Sequence, residues 1–192
     1  MVSDPDRVDL SRAVIFAGLV LALSMPGAQT AESGTSPINA CTLLTGSEVA
    51  AILGEKVHPG ELHDSGSVES GNDVGAYSST CLWRVASEGP PPSDPNLSLG
   101  GASYAILNAM QYPAGTGQAR NFLQSFRDAA KEGVIDQSPV ALKIADDALW
   151  WGDGVAVCKG DRSFGISVHL VGGRNKERDM EEALARKIAA RL

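Results

Sequence analysis

An α+β fold, with an antiparallel sheet packed against helices and a helix at its C-terminal end, is predicted by two features of the sequence. Amphipathic segments with helix start and stop signals alternate with groups of short segments whose β-branched or alternating apolar residues indicate strands. The strands are grouped as hairpins, without the regular strand–helix alternation that produces a parallel sheet. We therefore expect a two- or three-layer sandwich.

The clearest local signal is the first helix, predicted in "CTLLTGSEVAAILG". Thr45 and Glu48 have the spacing of a capping box, in which each residue satisfies a backbone N–H of the other. Gly54 stands where a helix ends in a left-handed residue. These signals predict a helix from about Gly46 to Leu53.

The middle of the chain is predicted to contain two strands. Residues 60–79 are polar and rich in Gly and Ser, which predicts a loop with a short strand near its start. The next segment, "TCLWRVA", has the aromatic and β-branched content of a strand. A second strand is expected over 97–106, where Gly100 and Gly101 indicate a bulge.

The last third is predicted to hold a helix, three strands and a terminal helix. Apolar residues from Ala119 to Ala130 recur at helical spacing, and Gly133 follows them. Short strands are expected near 147–151, 154–159 and 163–170. The terminal helix should begin near Lys176, with Asn175 as its cap.

Residues 1–31 have the pattern of a secretory signal peptide. Arg7 and Arg12 precede the uninterrupted apolar run from Ala13 to Leu23, which is shorter than the roughly 20 residues of a membrane-spanning helix. An uncleaved membrane anchor is the alternative. Residues 32–192 are then expected to form a single α+β domain that is periplasmic or secreted and not lipidated.

The charge balance argues against a nucleic-acid binder. The formal net charge is −7, and the only mixed basic stretch is "GRNKER". The basic patch that nucleic-acid recognition requires is missing, and an acidic membrane surface would repel the chain.

Three cysteines, Cys41, Cys81 and Cys158, allow one disulfide and one remaining thiol in an oxidising compartment. We favour the pair Cys41–Cys81, which would join the first helix to the first strong strand. A bridge that includes Cys158 and the absence of any bridge remain alternatives, since connectivity does not follow from sequence.

Few residues indicate catalysis or metal binding. His58, His63 and Asp64 are weak metal candidates, because their spacing matches no specific ligand signature. The sequence lacks the nucleophile-elbow, phosphate-loop, dinucleotide-binding and zinc-protease motifs. We therefore predict no catalytic residue, no metal and no cofactor.

The adjacent tryptophans in "ALWWGDG" are the candidate binding surface. Trp150 and Trp151 are neighbours on a predicted strand, so their side chains should point to opposite faces of the sheet. Either both are core residues, or one borders a ligand surface with Asp153 at its rim. An accessible indole offers an apolar platform with one polar group.

Taken together, "CTLLTGSEVAAILGEKV", "CLWRV" and "IADDALWWGDGVAVCKGDRSFGISV" resemble small exported bacterial proteins of unknown function. The pattern is similar to lipoprotein-like families with a Cys-x-Leu-Leu-Thr helix start and a Cys-x-Trp strand. The resemblance implies a sandwich like the PsbP-like fold of small photosystem-accessory proteins, and it implies that Cys41 and Cys81 recur. It implies no activity, and this chain lacks the lipidation cysteine of the lipoprotein members.

These features predict a non-enzymatic binding or accessory module of the cell envelope. Its partner would be another envelope protein or a small apolar ligand, with no nucleic acid and no stable membrane span after processing. The alternative is an envelope hydrolase that uses acidic or histidine residues. An enzyme should show a pocket with convergent polar groups and a carboxylate or histidine of perturbed pKa, whereas a binding module should show an aromatic or apolar patch.

Overall fold

A computed structural model of the chain describes residues 36–86, 102–173 and 176–192. The predicted signal peptide, the first five residues of the strand expected over 97–106 and the predicted cap Asn175 lie outside the described residues.

One seven-stranded antiparallel sheet forms the middle of the described chain. Its spatial order is β1-β2-β3-β7-β6-β5-β4, so the long strands β2, β3 and β7 are neighbours. The strands are β1 (Glu61–Ser67), β2 (Tyr77–Arg84), β3 (Tyr104–Gln111), β4 (Val140–Ala141), β5 (Asp147–Trp150), β6 (Val155–Lys159) and β7 (Arg162–His169).

Three helices cover the two faces of the sheet. They are α1 (Gly46–Leu53), α2 (Gln118–Lys131) and α3 (Glu177–Ala189). The apolar residues of α1 and α3 form one buried cluster with alternate residues of β2, β3 and β7, while α2 forms a second cluster with β5 and β6. The predicted α+β class is confirmed, and the helices on both faces make the arrangement three-layered.

The alternation along β7 shows why the sheet has two different faces. Phe164, Ile166 and Val168 are buried in the α1/α3 cluster, whereas Gly165, Ser167 and His169 are half-buried and point to the opposite face. Only the part of that opposite face nearest α2 is covered by a described helix. At the far ends of β3 and β7, Tyr104 and His169 are half-buried.

The first helix has the predicted bounds and caps. The backbone N–H of Glu48 donates to Thr45 Oγ1 at 3.3 Å, and the N–H of Thr45 donates to Glu48 Oε2 at 3.0 Å. Gly54 has a φ of 74°, in the left-handed region. A capping box and a glycine terminus thus fix both ends.

Two segments differ from the prediction. Residues 60–79 contain the strand expected near their start, β1, but it is seven residues long and the segment also includes the start of β2. Backbone pairing with β2 compensates for the low strand propensity of "ELHDSGS". The strand expected over 97–106 is described from Tyr104 and continues to Gln111, since its partners β2 and β7 extend that far.

None of the described residues forms a helix long and apolar enough to cross a membrane.

Candidate functional site

The hairpin formed by β5 and β6 carries the two tryptophans. The tight connection is closed by the N–H of Trp151, which donates to the carbonyl oxygen of Gly154 at 3.1 Å. Gly152 has a φ of 114°, a conformation that residues with a side chain rarely adopt. The turn therefore fixes the position of Asp153, which is exposed at its tip.

Trp150 and Trp151 lie on opposite faces of the sheet, as predicted. Trp150 packs against the α1/α3 cluster and Trp151 against the α2 cluster, and both side chains are half-buried. Neither is a fully buried core residue, in contrast to Trp83, which is 1% exposed.

Polar contacts from α3 hold Trp150. Its Nε1–H donates to Glu181 Oε2 at 3.0 Å, and the guanidinium of Arg178 lies 4.8 Å from the ring centroid, in cation–π contact. Arg178 also donates to Glu182 Oε1 at 3.1 Å, so its charge is paired.

Aromatic stacking and one glycine position Trp151. The ring stacks on Phe126 of α2, with centroids 4.7 Å apart and an interplanar angle of 28°. A Cβ at Gly154 would lie 2.5 Å from Trp151 Cζ2 and 2.5 Å from Ser167 Oγ. The Trp151 indole therefore packs directly against the backbone of Gly154, where any larger residue would clash with it.

A groove of about 520 Å³ lies where the hairpin meets the ends of β3 and β7. The last residue of β7 that pairs with β6 is Ile166, opposite Val155, so Ser167, Val168 and His169 extend beyond that pairing. The groove is lined by Tyr104, Ile106, Gln137, Trp150, Trp151, Gly152, Asp153, Ser167, Val168, His169 and Glu177. It brings together all three residues of the predicted binding surface.

The lining contains two carboxylates and neither lysine nor arginine. Asp153 is exposed and makes no hydrogen bond or ion pair with any residue in the described part of the chain. Glu177 is half-buried and accepts a hydrogen bond from the N–H of Leu170 at 2.7 Å through Oε1. Among the described residues that line the groove, the carboxylates are therefore not matched by a lysine or an arginine.

Two further rings lie at the strand ends. Tyr104 of β3 and His169 of β7 are paired in register, and their ring centroids are 5.4 Å apart with a 34° tilt. Both side chains are half-buried and both line the groove. The site therefore combines four aromatic side chains with two acids.

Glu181 is the buried carboxylate behind this groove. The residue is only 2% exposed, and burial raises its pKa to about 7 despite hydrogen bonds from the Val168 N–H and the Trp150 indole. Oε1 and Oε2 each accept one of these bonds. A carboxylate so enclosed orients Trp150 and β7 and does not line the groove.

The weak metal candidates are not brought together. Across residues 36–86, 102–173 and 176–192, no three His, Cys, Asp or Glu side chains are grouped as a metal site would require. His63 lies 3.8 Å from Glu61 on the edge strand β1, and Asp64 is exposed there. His58 precedes that strand.

The favoured disulfide is present. Cys41 and Cys81 are bonded, with Cα atoms 5.1 Å apart, and they tie the 3₁₀ turn Ala40–Thr42 to β2. Cys158 is a free, buried thiol in the α2 cluster, and burial raises its pKa. A protonated, buried thiol is an inert packing group.

Sequence reasoning missed Tyr104, Glu177 and Glu181 as contributors to this region. Alternation along β7 placed His169 on the more polar face, which was the one available signal. The other three meet the hairpin through tertiary packing between segments far apart in the chain, for which no local pattern exists.

Comparison with protein-family models, with curated proteins and with solved structures finds no match to this chain. The site must therefore be interpreted from its own geometry.

Proposed function

We propose that this chain is a non-enzymatic binding module of the cell envelope and that its ligand occupies the groove beside the β5–β6 hairpin. The observation that carries the proposal is the convergence of Trp150, Trp151 and Asp153 on one groove of about 520 Å³. This volume lies within the range of small-molecule sites, and such sites combine aromatic walls with few polar groups.

Binding explains the composition of the groove better than hydrolysis does. Within the described residues, the carboxylate with a strongly raised pKa is Glu181, which is enclosed and whose two oxygens both accept hydrogen bonds from the protein. A general acid must reach the substrate within hydrogen-bond distance. Asp153 and Glu177 line the groove together with Ser167 and His169, but within the described residues no hydrogen bond joins the Ser167 hydroxyl to the His169 ring. Acyl transfer requires a nucleophile within hydrogen-bond reach of its base.

Export to an oxidising compartment is part of the proposal. The Cys41–Cys81 disulfide supports it, because such bonds persist outside the reducing cytosol. The apolar run from Ala13 to Leu23 supports it as a signal-peptide core. The resemblance to small exported proteins with a Cys-x-Leu-Leu-Thr start is consistent with the same location.

A ligand screen with a blocked groove tests the function. Thermal shifts of the full chain would be measured with a library of cationic, neutral and anionic small molecules, in parallel with Gln137→Trp. Gln137 is exposed at the groove, and its Nε2 lies 3.1 Å from the point where a Cβ on Gly152 would be. A tryptophan in place of Gln137 should therefore fill the opening of the groove without disturbing the core.

We expect compounds that raise the melting temperature of the native chain and leave that of Gln137→Trp unchanged. Asp64→Trp on the exposed edge strand is the matched control and should respond like the native chain. Stabilising compounds that act equally on Gln137→Trp would place binding elsewhere and contradict the proposal. Turnover of a library compound would favour the hydrolase alternative.

A further inference from the structure

We propose that the groove ligand is a small organic cation, an amine or quaternary ammonium group that carries apolar substituents. This inference rests on the proposed function, because it assigns a ligand class to the same groove. The sequence predicts a small apolar ligand, and this inference adds that the ligand carries a positive charge.

Charge is the first argument. Among the described residues of the lining, the carboxylates are Asp153 and Glu177 and no Lys or Arg is present. Asp153 makes no hydrogen bond or ion pair within the described residues. An anionic ligand would meet two carboxylates without a compensating Lys or Arg in the described lining. A cation gains attraction from both, and the net charge of −7 for the full sequence acts in the same direction.

The rings are the second argument. Tyr104, Trp151 and His169 line the groove beside the acids, and an aromatic ring next to a carboxylate attracts ammonium groups through its negative face. The α3 side already provides an example, since Arg178 lies 4.8 Å from the Trp150 centroid. That guanidinium occupies Trp150, so the ligand would contact the other three rings.

The third argument concerns metal ions, which are the other class of cation that the groove could bind. Within the described ranges, no three acidic, histidine or cysteine side chains are grouped as metal ligands. A bare divalent ion would therefore keep most of its water shell. An organic cation loses little hydration when its apolar substituents contact rings, and a volume of about 520 Å³ accommodates it.

A matched pair of probes separates charge from shape. Choline and 3,3-dimethylbutan-1-ol have nearly the same size and shape, but only choline is charged. Isothermal titration of the full chain at fixed ionic strength should give choline an affinity about tenfold higher than that of the alcohol.

Two variants locate the charge. Asp153→Asn keeps the size of the exposed side chain and should weaken choline binding about tenfold while leaving binding of the alcohol unchanged. Asp64→Asn, also exposed but on β1 at one edge of the sheet, changes the net charge equally and should leave both affinities unchanged.

Each outcome decides the inference. The assignment of a cationic ligand would be wrong if the two probes bound with equal affinity. It would also be wrong if Asp153→Asn did not weaken choline binding. In either case the groove would still be a binding site. The cationic ligand class would also be contradicted if neither probe bound while neutral library compounds stabilised the native chain but not Gln137→Trp. Failure of both probes and of the whole library would overturn the proposed function itself.

Discussion

Trp150 and Glu181 form a hydrogen bond of 3.0 Å that joins the β5–β6 hairpin to α3, with the indole N–H as donor and a carboxylate 2% exposed as acceptor. The other carboxylate oxygen accepts the N–H of Val168 at 3.0 Å. One buried side chain therefore fixes both the hairpin and β7, the two elements that border the groove. The geometry of the groove depends on a residue that does not line it.

The pKa of Glu181 predicts a decrease in stability with rising pH. Its folded pKa is raised to about 7 from an ordinary value of 4.5, so the folded state binds the proton more tightly than the unfolded state does. The stabilisation is fully present below pH 4.5, is lost between pH 4.5 and 7, and stays lost above that. The loss should be about 3 kcal/mol.

Urea unfolding at pH 5, 6, 7 and 8 measures this effect when the native chain is compared with Glu181→Gln. The amide cannot titrate and can accept only one of the two hydrogen bonds, so the variant should be less stable at pH 5 by about 1–3 kcal/mol. The difference should disappear or change sign as the pH rises to 8, because the native chain loses about 3 kcal/mol and the variant does not. Parallel pH profiles for the two proteins would assign the dependence to other groups.

The disulfide should contribute several kcal/mol to stability. It closes a segment of 40 residues, for which the chain-entropy description gives about 4 kcal/mol. Cys41→Ser and Cys81→Ser should each remove that amount, and the double variant should be no less stable than either, since one bond is lost in every case. Cys158→Val, which fills a buried site of the α2 cluster, is the control and should change stability by less than about 1.5 kcal/mol. Additive losses would contradict the pairing.

Gly154 should not tolerate even one additional methyl group. The Cβ of an alanine would lie 2.5 Å from both Trp151 Cζ2 and Ser167 Oγ, so the indole must move. We expect Gly154→Ala to lower the free energy of unfolding by about 1–3 kcal/mol and to change the tryptophan fluorescence. Gly66→Ala on β1 meets nothing within 4 Å and is the matched control. Equal effects of the two substitutions would mean that Trp151 is not packed as described.

Arg191 should control the ionisation of Glu48. The guanidinium donates to Oε1 at 2.6 Å and to Oε2 at 2.9 Å, and these bonds, with those from Thr45, lower the pKa of Glu48 to about 2. NMR titration of the side-chain carboxyl should show that Arg191→Ala raises this pKa toward 4.5. Lys187→Ala, whose Nζ lies 3.7 Å from Oε1, should leave it nearly unchanged. If Lys187→Ala raised the pKa of Glu48 and Arg191→Ala did not, Lys187 rather than Arg191 would be the residue that lowers it.

Local signals were sufficient for most of the fold. The capping box at Thr45, the glycine at position 54 and the alternation of β7 act over a few residues, and each correctly predicted its element. The strand β1 was predicted only as a short strand at the start of a loop, and its full length was not, because "ELHDSGS" is held by pairing with β2 rather than by its own propensity. The disulfide was favoured over its alternatives, yet local patterns could not establish it, since pairing depends on how the two segments meet in space.

The site was predictable only in part. Adjacent positions on a strand placed Trp150 and Trp151 on opposite faces, and the turn residues that follow placed Asp153 beside them. Tyr104 and Glu181 reach the same region from β3 and α3, so no local pattern connects them to the hairpin. Side-chain partners between distant segments are set by packing, which periodicity does not encode.

The most direct test of a cation-binding groove is an NMR titration of the full chain with choline, followed through the three indole N–H signals. Trp150 and Trp151 line the groove, whereas Trp83 is 1% exposed and belongs to the α1/α3 cluster, which makes it an internal control. We predict that the signal of Trp151 and the backbone signal of Asp153 shift together and saturate, while the Trp83 signal does not move. Shifts confined to Asn72 and Phe122, which line a separate depression of about 460 Å³ beside α2, or no saturable shift at all, would contradict the account.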